Sequence, residues 1–156
     1  MQKPTAANVH SAKPFLSEVW SILCPDGKDR RSFSTAQALQ ILKRGVSSRV
    51  INPLVAYFSM AKGELIDILE LDRTTVLRWA SKDQPLPRHS AETILRVLEL
   101  KDVAVDVLES EEESLAWMRK AHPLLDGQSP LEAASTSYGS RVVKEILLAI
   151  KYGGVV

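Results

Sequence analysis

An all-α fold is predicted by three observations: apolar residues recur at spacings of three and four along most of the chain, helix-capping patterns precede several of these runs, and no stretch alternates convincingly at period two. The chain has 156 residues, of which 45% are hydrophobic and 25% charged. That is the composition of a soluble globular protein long enough to bury a real core, as one domain or two small ones.

Met1–Pro14 is polar, holds Pro4 and Pro14, and lacks periodicity, so it reads as a disordered arm over residues 1–14. Phe15–Cys24 spaces Phe15, Leu16, Val19, Trp20, Ile22 and Leu23 as one amphipathic helix would, and Pro25-Asp26-Gly27 ends it. Ser34 with Gln37 forms a capping box ahead of Ala38, Leu39, Ile41 and Leu42, and Gly45 fits the stop position. Asn52-Pro53 reads as a cap and first helical residue opening PLVAYFSM.

Lys62–Trp79, KGELIDILELDRTTVLRW, then reads as two short helices joined by a tight turn, a helix-turn-helix spanning 62–82 with its connector. Leu65, Ile66 and Leu69, the turn residue Leu71, and Val76 with Trp79 would share a small core. Asp72 is the expected N-cap of the second helix. The opposite face carries Arg73, Thr74, Thr75 and Arg78, with Lys82 beyond them, a row of donors and methyl groups suited to phosphates and base edges of DNA. Glu70 stands where such turns often hold glycine, and positive φ there would cost on the order of 1 kcal/mol.

Beyond a connector with Pro85 and Pro87, Ser90 is expected to cap a substantially buried run from Ile94 to Leu108, bending or breaking near Lys101-Asp102. Ser110 with Glu113 caps a helix containing Leu115, Trp117 and Met118, which Pro123 closes; its acids Glu111–Glu113 suit the positive end of the helix dipole. Ser129-Pro130 opens a very short helix. Ser137–Lys151 forms the last one, with Val142, Val143, Ile146, Leu147 and Ile150 as its buried stripe, and Gly153-Gly154 stops it. The resulting division is an arm over 1–14, a helical domain over 15–108 and a second helical domain over 109–156.

The net charge of +1 hides a gradient. Residues 1–49 hold eight Lys/Arg and three Asp/Glu, residues 50–89 five and five, and residues 90–156 seven and eleven. A DNA-binding face in the neutral middle segment would need its cations gathered on one side. Apolar runs are too short to span a bilayer and the start resembles no signal peptide, so a cytoplasmic protein is expected. The single Cys24 excludes an intrachain disulfide and reads as a packed small hydrophobe. His10, His89 and His122 have no second ligand at helical spacing, and no phosphate loop or nucleophile motif is present, so neither a metal, a cofactor nor an enzyme is expected.

The order of these blocks, ELIDILELDRTTVLRW, QPLP, SAETILRVLEL, then Glu113–Pro123 with Trp117 and Pro123, LLDGQSPLEAAST and YGSRVVKEILLAIKYG, resembles antitoxins of the Xre/MbcA/ParS type, particularly those paired with RES-domain toxins. The resemblance covers roughly residues 50–153. It implies an Xre-like helix-turn-helix that binds the operator of its own operon and a C-terminal domain that inhibits a RES toxin, whose substrate is NAD. One neutral helix-turn-helix offers few phosphate contacts, so a homodimer addressing two half-sites is expected, within a higher-order toxin–antitoxin complex. Ala134-Ser135 depart from the bulkier residues of the family. For toxin contact the candidates are Trp117, Tyr152, Gly153, Gly154, Val155 and Val156, because an aromatic, two glycines and two valines follow a helix whose stripe already ends at Ile150. A free-standing transcriptional regulator with a C-terminal dimerisation or effector domain is the alternative.

Overall fold

The computed structural model describes residues 6–27, 32–79 and 82–153, and the side chains from Pro14 onward. Among them every regular element is helical, with no strand. Two compact units divide between Ala91 and Glu92, within one unbroken helix.

In the first unit, α1 (Ala6–Leu23) packs along α3 (Ile51–Phe58). Val19, Trp20 and Leu23 are buried, as are Leu54, Tyr57 and Phe58, whose rings meet edge to face at 5.0 Å. Of the arm expected over 1–14, residues 1–5 lie outside the described residues and 6–14 belong to α1. Ala6, Ala7 and Ala12 favour helix, and Pro14 sits inside it without ending it. The arginine side chain of Arg44, in the last turn of α2 (Thr35–Arg44), donates from Nη2 to the Leu23 carbonyl at 2.6 Å, satisfying an orphan acceptor at the end of α1. The Ser34–Gln37 capping box and the positive φ of Gly45 are both present. Cys24 is only half-buried.

A 3-10 turn over Ser48–Val50 runs directly into α3. Asn52 is therefore not a cap: the helix has already started, and Pro53 occupies its first turn, where a missing N–H costs least. The left-handed Ser59 ends α3. Two short helices follow, α4 (Lys62–Ile68) and α5 (Arg73–Arg78). Glu70 between them has φ 54°, so the turn keeps the left-handed conformation of a glycine position in spite of its cost to a residue with a Cβ. Leu65, Ile66, Leu69 and Val76 are buried, whereas Leu71 and Trp79 are only half-buried. The connector after α5 is pinned back onto the Ser47–Ser48 segment: Ser48 N donates to the Gln84 carbonyl at 2.7 Å and Leu86 N to the Val46 carbonyl at 2.8 Å.

Helix α6 (Arg88–Leu108) starts before Ser90 and continues through Lys101-Asp102. Ser90 is not its cap; its buried hydroxyl donates to the Leu69 carbonyl at 2.8 Å, within the first unit. The expected break is absent, and the buried Lys101 ammonium within the continuous helix is hydrogen-bonded to its neighbour Asp102.

The second unit continues with α7 (Glu111–Arg119), a 3-10 turn over Pro123–Leu125, α8 (Pro130–Ala133) and α9 (Ser137–Lys151). Helix α8 packs between α7 and α9. Met118, Leu131, Ala134, Val143, Ile146 and Leu147 are buried, while Val142 and Ile150 lie at the edge of the stripe. Ala134 is fully buried, and Arg96 of α6 donates from Nε to the Ala134 carbonyl at 2.9 Å and from Nη2 to the Ser135 carbonyl at 3.1 Å, closing over the end of α8.

Candidate functional site

Two surfaces gather the residues singled out by the sequence, one in each unit. On α5 the N-cap is Asp72, whose Oδ2 accepts from Thr75 N and from Thr75 Oγ1, both at 2.9 Å. The backbone bond to Thr75, then the hydroxyl bond, then the charge of Arg78 hold the Asp72 carboxyl below its ordinary value. Arg73, Thr74 and Arg78 are exposed on this helix and Lys82 is exposed beyond it. They are not equally free. Arg73 Nη2 bonds Asp67 Oδ2 at 3.0 Å across the turn, and Thr75 spends its hydroxyl on Asp72 while accepting from Arg78 Nη2 at 3.4 Å. Leu77, which sequence periodicity left aside, is 75% exposed beside them. Trp79 belongs less to the shared core than to a cavity wall, lining it together with Arg49, Lys62 and Lys82.

In the second unit, Trp117 is half-buried and meets the His122 ring edge to face at 6.2 Å. His122 in turn caps the 3-10 turn, its Nδ1 accepting from Leu124 N at 3.1 Å. Trp117 thereby braces the segment that carries the exposed Leu124. At the end of α9, Tyr152 is 78% exposed and Gly153 has φ 72°. Gly154, Val155 and Val156 lie outside the described residues.

The sequence reading missed the outer face of α9. Tyr138, Arg141, Glu145, Leu148 and Tyr152 follow one another at spacings of three and four and are all exposed. The Arg141 guanidinium lies over the Tyr138 ring at 5.4 Å, holding that ring along the helix. The signal was available as the complement of the buried stripe. Lys151, at the helix end, donates to Asp106 Oδ2 at 2.7 Å, which raises its own affinity for a proton and ties α9 to α6.

Residues 103–153 match the family described as the antitoxin Xre/MbcA/ParS C-terminal toxin-binding domain. That segment takes in the end of α6 and all of α7, α8 and α9. The second unit therefore carries a toxin-binding domain of the Xre/MbcA/ParS antitoxin type. A similar protein is the Prs ADP-ribosylating antitoxin of Sphingobium sp. (strain YBL2), 26% identical over 129 residues, which cover 77% of this chain and 81% of the relative. Among the described residues, no helix is long and apolar enough to cross a membrane.

Proposed function

We propose that this chain is an antitoxin that neutralises a RES-domain toxin that consumes NAD, and that it represses its own operon by binding operator DNA as a homodimer. The observation that carries the toxin assignment is the coincidence of the toxin-binding domain match with an exposed face of α9 bearing Tyr138, Leu148 and Tyr152. Large aromatic and aliphatic side chains left outside a packed helical unit are the usual anchors of a protein interface. The relative's name supports the chemistry of the toxin, since ADP-ribosylation draws its ADP-ribose from NAD.

Operator binding is supported by α5, which offers Arg73, Thr74 and Arg78 outward from a helix whose start is fixed by Asp72. A guanidinium matches guanine O6/N7 or a phosphate with two parallel hydrogen bonds. The middle segment is neutral in sum, so one copy has few phosphate contacts to offer. Two copies can address half-sites about 34 Å apart. The test is co-expression with the product of the neighbouring reading frame. Copurification of a RES-domain protein, together with a retarded band for the chain on the DNA upstream of its gene, supports the whole reading. Failure to copurify removes the RES assignment, and an unshifted band removes repression.

A further inference from the structure

The first unit contains a cavity of about 440 Å³ behind α5, sharing only Lys82 with the outward-facing residues described above. Its apolar side is made by Ile51 and Val76, both buried, and by the half-buried indole of Trp79. Its charged side is made by Arg49, Lys62, Lys82 and Asp83. Asp83 is already satisfied: it accepts from the Ser47 hydroxyl and lies 3.7 Å from Arg49 Nη1. Lys62 and Lys82 make no ion pair with any described residue, which leaves the cavity with two uncompensated positive charges.

The wall that carries these charges is held in place. Lys82 N donates to the Trp79 carbonyl at 2.8 Å, Ser48 Oγ donates to the Lys82 carbonyl at 3.3 Å, and Gln84 N donates to Ser48 Oγ at 3.0 Å. A cavity of this volume suits a small molecule. An aromatic face beside paired lysines suits a ring attached to an anion, and a phosphate monoester, with a charge of about −1.5 to −2 at neutral pH, matches the surplus of two.

We propose that this cavity is a phosphate site for a nucleotide, with Lys62 and Lys82 on the phosphate and the Trp79 indole against the base. The nucleotide is free in solution, or the phosphate belongs to a bound DNA strand and meets the two lysines alone, its base staying stacked in the duplex; only the second source rests on the operator-binding reading above.

The test uses the full chain and adenosine 5′-monophosphate, with the Trp79 indole N–H followed by NMR and assigned through Trp79→Phe. For a free nucleotide, the Trp79 signal shifts saturably with the monophosphate, adenosine without phosphate has no effect, and the Lys62→Gln/Lys82→Gln double variant weakens binding at least ten-fold. The indole signals of Trp20 and Trp117 stay in place as a control for folding. For a strand phosphate, the monophosphate leaves Trp79 unmoved, but the double variant lowers the slope of log affinity for operator DNA against log salt by about 1, the change expected for one lost phosphate contact. If the monophosphate moves nothing and the double variant does not lower that slope, the cavity is not a phosphate site. An unmodified chain that fails to bind its operator overturns the repression reading alone, and the monophosphate titration then decides the cavity by itself.

Discussion

Gly139 and Ala133 approach so closely that a Cβ on Gly139 would stand 2.1 Å from the Ala133 carbonyl oxygen. This contact lets α9 start directly against the end of α8, with Thr136 Oγ1 accepting from Gly139 N at 3.0 Å. Backbone, unlike a flexible side-chain tip, cannot step aside cheaply. Gly139→Ala should therefore destabilise the second unit by about 1–3 kcal/mol through overpacking. Thermal denaturation followed by circular dichroism checks this; an unchanged midpoint would mean that the two helices can separate at no cost.

Arg96 closes the same corner from the other side, donating to the Ala134 and Ser135 carbonyls and, at 2.9 Å, to Thr93 Oγ1. Hydrogen bonds from a charged donor contribute about 1.5–3 kcal/mol. Arg96→Met should lose stability on that scale, and Arg96→Lys should recover only part of it, because an ammonium lacks the planar fork that serves two carbonyls at once. Urea denaturation of the three proteins gives the comparison.

The acid dependence of α5 follows from its cap. Hydrogen bonds from Thr75 depress the Asp72 pKa in the folded chain below the ordinary 3.8. A group depressed by folding contributes stability that is fully present above its unfolded value and lost as pH falls through the folded one. Protection of the Thr75 amide from hydrogen exchange should thus exceed that of Asp72→Ala near neutral pH. The two proteins should converge as the pH drops below 3.8; a constant difference would assign the protection to something other than the carboxylate.

On α5, Arg78→Ala should cost about 1–3 kcal/mol of operator affinity if the guanidinium reads a base. The variant should fold normally, since Arg78 is exposed. Mobility-shift titration at fixed salt reads the loss, and undiminished affinity would exclude Arg78 from the interface. Arg73→Ala is expected to be milder, because Asp67 already holds its guanidinium at 3.0 Å.

What could be read from the sequence was mainly local chemistry. Ser34, Asp72, Ser110 and Ser129 each cap the helix they precede, because a short acceptor three residues before a free N–H acts within one turn. Asn52 and Ser90 carry the same side-chain chemistry and do not cap, since the preceding turn or helix start has already extended past them. Trp79 had the right spacing for the α4–α5 core, yet it is half-exposed, because the cavity beside it is built by Arg49 and Lys62, residues whose proximity no local pattern encodes. Arg73 and Asp67 pair across the left-handed turn at Glu70, a separation that helix spacing does not anticipate.

Toxin neutralisation is tested most directly by growth rescue in cells expressing the RES-domain toxin from the neighbouring reading frame, with the full chain compared with one lacking residues 152–156. Tyr152 is exposed past the end of α9 and Gly153 turns the backbone away, so the deletion should spare the fold. The full chain should restore growth and the shortened chain should do so less well at equal abundance. No rescue by the full chain would contradict neutralisation of that toxin, and equal rescue by both would move the contact off the chain end to the outer face of α9 or the Trp117 helix.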